Sequence, residues 1–545
     1  MTFGALRADR IRIAAILIVL VAGAGLRLWQ YGANSSLWLD EAAVSRNIIE
    51  RSASELLTPL NYGQVAPVGF LFVQHAVTRV STSEYALRIF PLLSGLAAML
   101  LFVAVARATL TGASVPYAVL LFALGPPFIY FSSQAKQYAP DTAASMLAVW
   151  IVMRSTETSI SRRGLLLLTA AGALIPWIST SAALVLTGAA IGAATLALAR
   201  RDTTARRTIA LPLVIWIASA FCAGLIATRT VSPETREFLD WFWRAGYIPL
   251  TPVAQVRWYW TTLNSVFGSF GAEAFRTNGG LGYPWPQLFT VATITGFLQL
   301  ARTRPATALV LFGPVLVAVA ASLAHRYPLS GRLLVFLLPV LLLATAAGAQ
   351  AIWSWFGDRS RFAGLIAAAV FVVIPVYTAV EAHPPYSIQP LRPVLERLES
   401  LRQPGDIVYV DYAAAQAFLY YAARFDFETG DYVISRCSVA DRRDYLRQVD
   451  RFRGHRRVWI VATHLSTVER LLTVGYLEEI GHRIESVFVA PVGAPLPFAA
   501  YARLYDLSDP RRLARSSAAT YQFRDVSMTD DEKRWGCFGP ALSGE

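Results

Sequence analysis

Two adjacent carboxylates, Asp40 and Glu41, close the stretch Asn34-Ser35-Ser36-Leu37-Trp38-Leu39-Asp40-Glu41. They lie about ten residues beyond the first of many apolar runs, each long enough to cross a bilayer. A carboxylate at a membrane surface, beside a Trp of interfacial type and far from an obvious basic partner in sequence, is costly to keep unless it moves a proton or binds a cation. Asp40 is the candidate base. Its competing reading is a helix N-cap, with Glu41 in the first turn, and the two roles are compatible.

A second unusual residue is Lys136. Of 49 basic residues only two, Lys136 and Lys533, are lysines. Lys136 stands at the end of an apolar run in Ser132-Ser133-Gln134-Ala135-Lys136-Gln137-Tyr138, where a compact ammonium suits a phosphate headgroup, although snorkelling at the interface explains it too. Tyr138 and Gln137 can add hydrogen bonds, and Asp141 either orients Lys136 or faces an acceptor. Arg332 opens a later apolar run beside Gly331, a position suited to bidentate phosphate contact; His325 and Arg326, in the same short turn, either join it or anchor the interface. Glu84 and Arg88 are one helical turn apart, which favours an internal ion pair.

The elements that must position these groups are membrane spans. The 545-residue chain is 55% hydrophobic and 16% charged, with a mean hydropathy of +0.44, too apolar for a soluble protein of this length. We count about eleven candidate spans, near residues 11–30, 86–106, 115–131, 139–153, 164–178, 181–199, 209–227, 286–301, 306–324, 333–352 and 362–380.

Arginines set the orientation. Arg7, Arg10 and Arg12, then Arg154, Arg162 and Arg163, then Arg200, Arg201, Arg206 and Arg207, then Arg302 and Arg304, then Arg359 and Arg361 all fall on one side if the N-terminus is cytoplasmic and eleven spans follow. The loops bearing Asp40, Lys136, Trp241 and Arg326 are then extracytoplasmic, as is the tail after residue 381. On this reading the first span is an anchor and not a cleaved signal. The net charge of +13 follows largely from these arginines and calls for no nucleic-acid partner.

Two long loops and a tail complete the organisation. Residues 31–85 carry short amphipathic segments at Ser54–Leu57 and Val73–Val77. Residues 229–285 carry Trp241, Trp243, Trp258 and Trp260, able to stack on sugar faces or to form an aromatic belt. The tail, 381–545, has ordinary polarity and alternates helix (391–401, 412–424, 466–478) with strand (407–410, 458–461, 487–489), which predicts a small extracytoplasmic α/β domain without a nucleotide fingerprint. Cys437 and Cys537 in this tail are candidates for a disulfide, whereas no Cys/His cluster suggests structural zinc.

A resemblance follows from the order of these features. One span, then Leu37-Trp38-Leu39-Asp40-Glu41, then Pro59-Leu60 and Ala66-Pro67, then Ser83-Glu84-Tyr85-Ala86-Leu87-Arg88 opening the second span, resembles integral-membrane glycosyltransferases of the GT-C type, family 39-like. That branch includes protein O-mannosyltransferases, the lipid A aminoarabinose transferase and Rgt-type lipopolysaccharide sugar transferases. Tyr130–Tyr138 and Tyr327-Pro328-Leu329-Ser330-Gly331-Arg332 add to the likeness. The resemblance covers roughly residues 10–350 and implies a polyprenyl-phosphate-linked sugar donor, transfer on the extracytoplasmic face, and the first acidic residue of the pair, Asp40, as catalytic.

The expected fold is therefore an α-helical polytopic membrane protein of GT-C type, with residues 1–380 as the transferase domain and 381–545 as an extracytoplasmic α/β domain, in a bacterial-type plasma (inner) membrane. The expected reaction is inverting displacement at an anomeric carbon, with Asp40 as base and Lys136 and Arg332 facing the departing phosphate. Glu41 is assigned to acceptor, to a divalent metal ion, or simply to the cap; no cofactor is otherwise called for. The partners expected are a polyprenyl-phosphate sugar, an acceptor that is glycan, lipid or protein, and membrane lipids. Two competing readings are a lipid-linked glycan flippase or transporter and an inactive glycan-binding scaffold. A transporter places ionisable groups near span midpoints and often shows repeats, whereas here they cluster at span ends and no repeat is evident.

Overall fold

The computed structural model describes residues 3–157, 160–199, 203–268, 280–464, 467–523 and 528–537. Arg200 and Arg201 of the topology argument, and residues 269–279 of the aromatic loop, lie outside that set. The chain forms two compact units: Met1–Asn34, Ala66–Thr230 and Phe242–Pro385 make the first, and Ser35–Val65, Val231–Trp241 and Tyr386–Glu545 the second.

The first unit is helical. Among the described residues seven helices are long and apolar enough to cross a membrane: Asp9–Gly32, Glu84–Thr109, Thr180–Ala199, Ile209–Arg229, Pro305–Leu323, Leu338–Gly357 and Arg361–Glu381. A bent pair, Ser114–Leu124 and Pro126–Ser133, makes an eighth candidate. The three other expected spans are helices too, Tyr138–Ser155, Arg162–Ile178 and Pro286–Thr303, but they are shorter or more polar. The short runs expected at the membrane surface become a 3-10 turn, Glu55–Leu57, and a helix, Val68–Thr78.

Close helix approach in this unit depends on small residues, as expected where lipid leaves no hydrophobic drive between helices. A Cβ on Gly296 would lie 1.7 Å from the Ala344 carbonyl oxygen, and one on Gly348 the same distance from that of Ala292. The bent pair turns by 54° at Gly125-Pro126-Pro127, because proline cannot continue the preceding helix. Arg27, fully buried on the first span, answers the break: its Nη1 donates to the carbonyls of Gly23 and Ala123, each at 2.9 Å. The break delivers the chain into the 3-10 turn Phe131–Ser133 and the segment that carries Lys136.

The second unit is built on a five-stranded sheet. Its strands are β1 (Ile407–Val410), β2 (Tyr432–Ile434), β3 (Val458–Ala462), β4 (His482–Val489) and β5 (Ala500–Asp506), in the order β2-β1-β3-β5-β4. β1 pairs in parallel with β2 and β3, while β5 runs antiparallel to both β3 and β4. The expected alternation of helix and strand thus holds for the parallel half, and β5 converts the sheet into a mixed one. The strand expected at 487–489 extends back to His482, and β2, β5 and the helix Arg442–Asp450 are additional. One face of the sheet packs Val458, Ile460, Leu472, Tyr476, Leu477 and Tyr505 into a continuous core.

Two polar devices hold this unit. Asp406, just before β1, accepts from Arg457 Nε at 2.5 Å, from Arg457 Nη2 at 3.0 Å and from Trp459 Nε1 at 2.8 Å. Burial alone would raise the Asp406 pKa, but these bonds and the Gln403 N–H outweigh it and hold the carboxyl below its ordinary value. The second device is covalent: Cys437 and Cys537 form a disulfide with a Cα separation of 5.5 Å, within the range such a bond requires. It tethers the helix Asp530–Trp535, whose Arg534 pairs with Glu237 at 2.8 Å and whose Trp535 ring lies 6.2 Å from that of Phe238.

Candidate functional site

In the second unit, the segment leading to Asp40 is held from the tail. Ser35 Oγ donates to the Tyr386 carbonyl at 2.7 Å, the Leu37 N–H to Tyr421 Oη at 2.9 Å, and the Leu39 N–H to Gln389 Oε1 at 2.7 Å. The last of these satisfies a backbone donor that a helix start otherwise leaves open. The helix they launch, Leu39–Glu50, has Trp38 at its N-cap position, so Asp40 sits one residue inside the first turn and does not occupy the cap.

The adjacent carboxylates have different surroundings. Glu41 is fully buried and its Oε2 accepts the Trp38 N–H at 3.4 Å. Asp40 is partly exposed and lies in the first turn of the helix, near the positive end of its dipole. The loop that follows is stitched to the same helix: Asn47 exchanges bonds with Asn61, and Arg51 donates to the carbonyls of Pro59 and Glu55.

In the first unit, Lys136 is 5% exposed, and its N–H closes a tight turn on the Gln134 carbonyl at 2.7 Å. The next helix starts at Tyr138, whose ring packs on Phe131 with centroids 4.7 Å apart. Arg332 enters a short 3-10 turn, Gly331–Leu334, by way of Gly331 at φ +54°. Its guanidinium carbon lies 5.9 Å from the Tyr138 ring centre and 5.7 Å from that of Trp243, within reach of cation–π attraction. The structure thus brings together Tyr138, Arg332 and Trp243, three residues far apart in sequence.

The Arg332 turn is fixed from the aromatic loop. Leu329 N–H donates to the Gly246 carbonyl at 2.7 Å and Ile248 N–H to Ser322 Oγ at 3.2 Å. A Cβ on Gly246 would come within 2.8 Å of Ser330 Cβ, so glycine is what permits this approach. Tyr327 donates to the Leu333 carbonyl at 3.0 Å; burial pushes its hydroxyl pKa well up, and the Asp141 charge adds to that. His325 stacks on Tyr247 at 4.7 Å and, like Arg326, is exposed.

Asp141 lies in the first turn of the Tyr138–Ser155 helix, buried near Ser179 and Ser181, and its Oδ1 has no hydrogen-bond partner among the described residues. Glu84 and Arg88 are both buried on Glu84–Thr109. Asp40 and Glu41 therefore belong to the second unit, and Lys136, Tyr138, Asp141, Arg332, Arg326, His325, Glu84 and Arg88 to the first. No group of three or more His, Cys, Asp or Glu set to hold a metal occurs among the described residues. Gln389, Tyr421 and Gly246 escape the sequence reading because each acts through position: two supply one hydrogen bond to a distant backbone, and the third supplies space.

The arrangement of spans, long loops and mixed-sheet tail is the GT-C fold of integral-membrane glycosyltransferases, and the comparison with solved structures bears this out. The archaeal oligosaccharyltransferase AglB from Archaeoglobus fulgidus, solved with an inhibitory peptide and a dolichol-phosphate, superposes with a TM-score of 0.50 at 11% identity, over 89% of this chain and 74% of that one. ArnT from Cupriavidus metallidurans, bound to undecaprenyl phosphate, covers 91% of this chain and 97% of its own at 13% identity and a TM-score of 0.46. No family model and no curated protein sequence matches the chain.

Proposed function

We propose that this protein is a multi-pass membrane glycosyltransferase that moves a sugar from a polyprenyl-phosphate carrier to a glycan, lipid or protein acceptor on the extracytoplasmic side of a bacterial-type plasma membrane. The observation that carries this reading is the partly exposed Asp40 in the first turn of a helix held at its N-terminus by the tail, in a chain of GT-C fold. Asp40 takes the proton of the acceptor hydroxyl as its oxygen attacks the anomeric carbon. The bond between that carbon and the phosphate oxygen breaks on the opposite face, with inversion. The carrier phosphate gains charge as it leaves, and Lys136 and Arg332 stabilise it. The solved complexes of AglB and ArnT contain dolichol-phosphate and undecaprenyl phosphate, which fits a carrier of that class.

The orientation rests on arginine placement, with the N-terminus cytoplasmic and the tail outside. Asp40→Asn tests the chemistry: transfer in vesicles with purified donor should fall about 10²–10⁴-fold, with donor binding kept within a few-fold. Activity above about a tenth of wild type would remove Asp40 from the role of base.

A further inference from the structure

The tail domain carries a cation that the transfer reaction does not use. Arg503 lies on β5, opposite Ile460 of β3 and Ser486 of β4. Residues paired across strands share a sheet face, so Arg503, Tyr501, Ser486 and Phe488 stand on one side of the sheet. On the β3 flank that face is covered by the core around Ile460. On the β4 flank it is open: Ser486 is exposed, and Phe488 and Ile484 are 54% and 48% exposed.

The Arg503 guanidinium lies 4.9 Å from the Tyr501 ring centre. Its Nε and Nη1 are shielded from solvent and have no acceptor among the described residues. The Tyr505 hydroxyl interacts with the guanidinium and donates to Glu478 at 3.0 Å, and Glu478 also pairs with Arg483 at 3.2 Å, which leaves Nε and Nη1 without a carboxylate of their own. A half-buried, permanently charged fork with unused donors is expensive for the folded state, and an external oxyanion would offset that cost.

We propose that Arg503 and Ser486 form a binding site for the carboxylate or phosphate of an anionic sugar, reached across the open β4 flank, with the apolar face of the sugar resting on Phe488. The site is independent of the transfer chemistry. The ligand keeps its charge throughout, and no bond is made or broken.

The test is binding to the full chain in neutral detergent, by calorimetry and thermal shift, with glucuronate, glucose 6-phosphate and glucose as probes, and separately with micelles containing phosphatidylglycerol. Saturable binding of either anionic sugar, none of glucose, and at least about a thirtyfold loss in Arg503→Met are expected, as for truncation of a buried charge pair. Binding confined to phosphatidylglycerol micelles would assign the oxyanion to a lipid headgroup and overturn the sugar. Ligand-free Arg503→Met should melt no lower than wild type, because it removes unused buried donors; a clearly lower melting point would make the guanidinium structural and end the proposal. Ser486→Asp, at an exposed position, should fold normally and also lose binding by repulsion. Unchanged affinity in both variants, or no saturable binding of any anionic probe, overturns the site.

Discussion

The guanidinium of Arg332 faces the ring of Trp243, with 5.7 Å between its central carbon and the ring centre. The pairing joins a turn beside the Leu338–Gly357 span to the aromatic loop, and Tyr138 at 5.9 Å supplies a second face. A guanidinium beside aromatic rings combines cation–π attraction with a planar fork that matches a phosphate, which an ammonium on a flexible stem cannot imitate. Arg332→Lys should therefore lose most of the donor affinity that Arg332→Ala loses. Trp243→Ala should weaken donor binding by about 2–30-fold, the equivalent of one cation–π contact. Donor titrations against the three variants decide it; full rescue by lysine would reduce Arg332 to a point charge.

Lys136 is buried, so its side chain has already lost much of its rotamer freedom before it meets an anion. Lys136→Ala should weaken donor binding and slow the chemical step together, since the phosphate gains charge as the sugar leaves. Single-turnover measurements separate the two effects. Unchanged affinity and unchanged turnover would leave Lys136 as an interfacial anchor.

Much of the fold was legible because hydrophobic periodicity acts locally. The helix Leu391–Leu401 and the strand Ile407–Val410 coincide with their expected ranges, since an amphipathic stripe and a β-branched run each declare themselves within a few residues. β2 did not, being three residues long after Gly430. β5 did not either: both its faces are largely buried, which erases the alternation that marks a strand. Trp243 was visible as one of several aromatics, but only the fold selects it as the one facing Arg332. The grouping of residues 35–65 with the tail is made by long-range contacts such as the bonds from Gln389, Tyr421 and Gln416, and no sequence pattern encodes those.

The Cys437–Cys537 bond spans 100 residues of sequence and fixes the end of the described chain. Its loss should lower tail stability by about 2–5 kcal/mol, and the local consequence is more telling than the global one. Trp535, 6% exposed, and the Arg534–Glu237 pair depend on the tether, so reduction should raise amide exchange in residues 530–537 and 233–242 together. Exchange unchanged by reduction would show that packing alone holds this end. An impermeant thiol reagent on intact cells checks the topology in the same experiment. Labelling should appear only after reduction; protection that outlasts reduction and ends on permeabilisation would place the tail in the cytoplasm.

Asp406 links the tail domain to pH. Its side chain is 1% exposed while Arg457 is 27% exposed, so the pair is buried on one side only and part of its strength is screened. Replacing Asp406 by Asn leaves the Arg457 charge without its counter-ion, for which we expect a loss of about 2 kcal/mol near neutral pH after discounting that exposure. The sign follows from linkage. The folded-state pKa of Asp406 lies below its ordinary value, so the unfolded chain takes up the proton first as pH falls, starting near pH 4. The contribution is complete above that point and disappears as pH drops through the lower, folded value. Thermal unfolding of the full chain from pH 6 to pH 3 should show the wild type more stable than Asp406→Asn by a constant margin down to about pH 5, with the two converging below about pH 4. A margin that stayed constant across the whole range would show that the carboxylate acts by packing and not by charge.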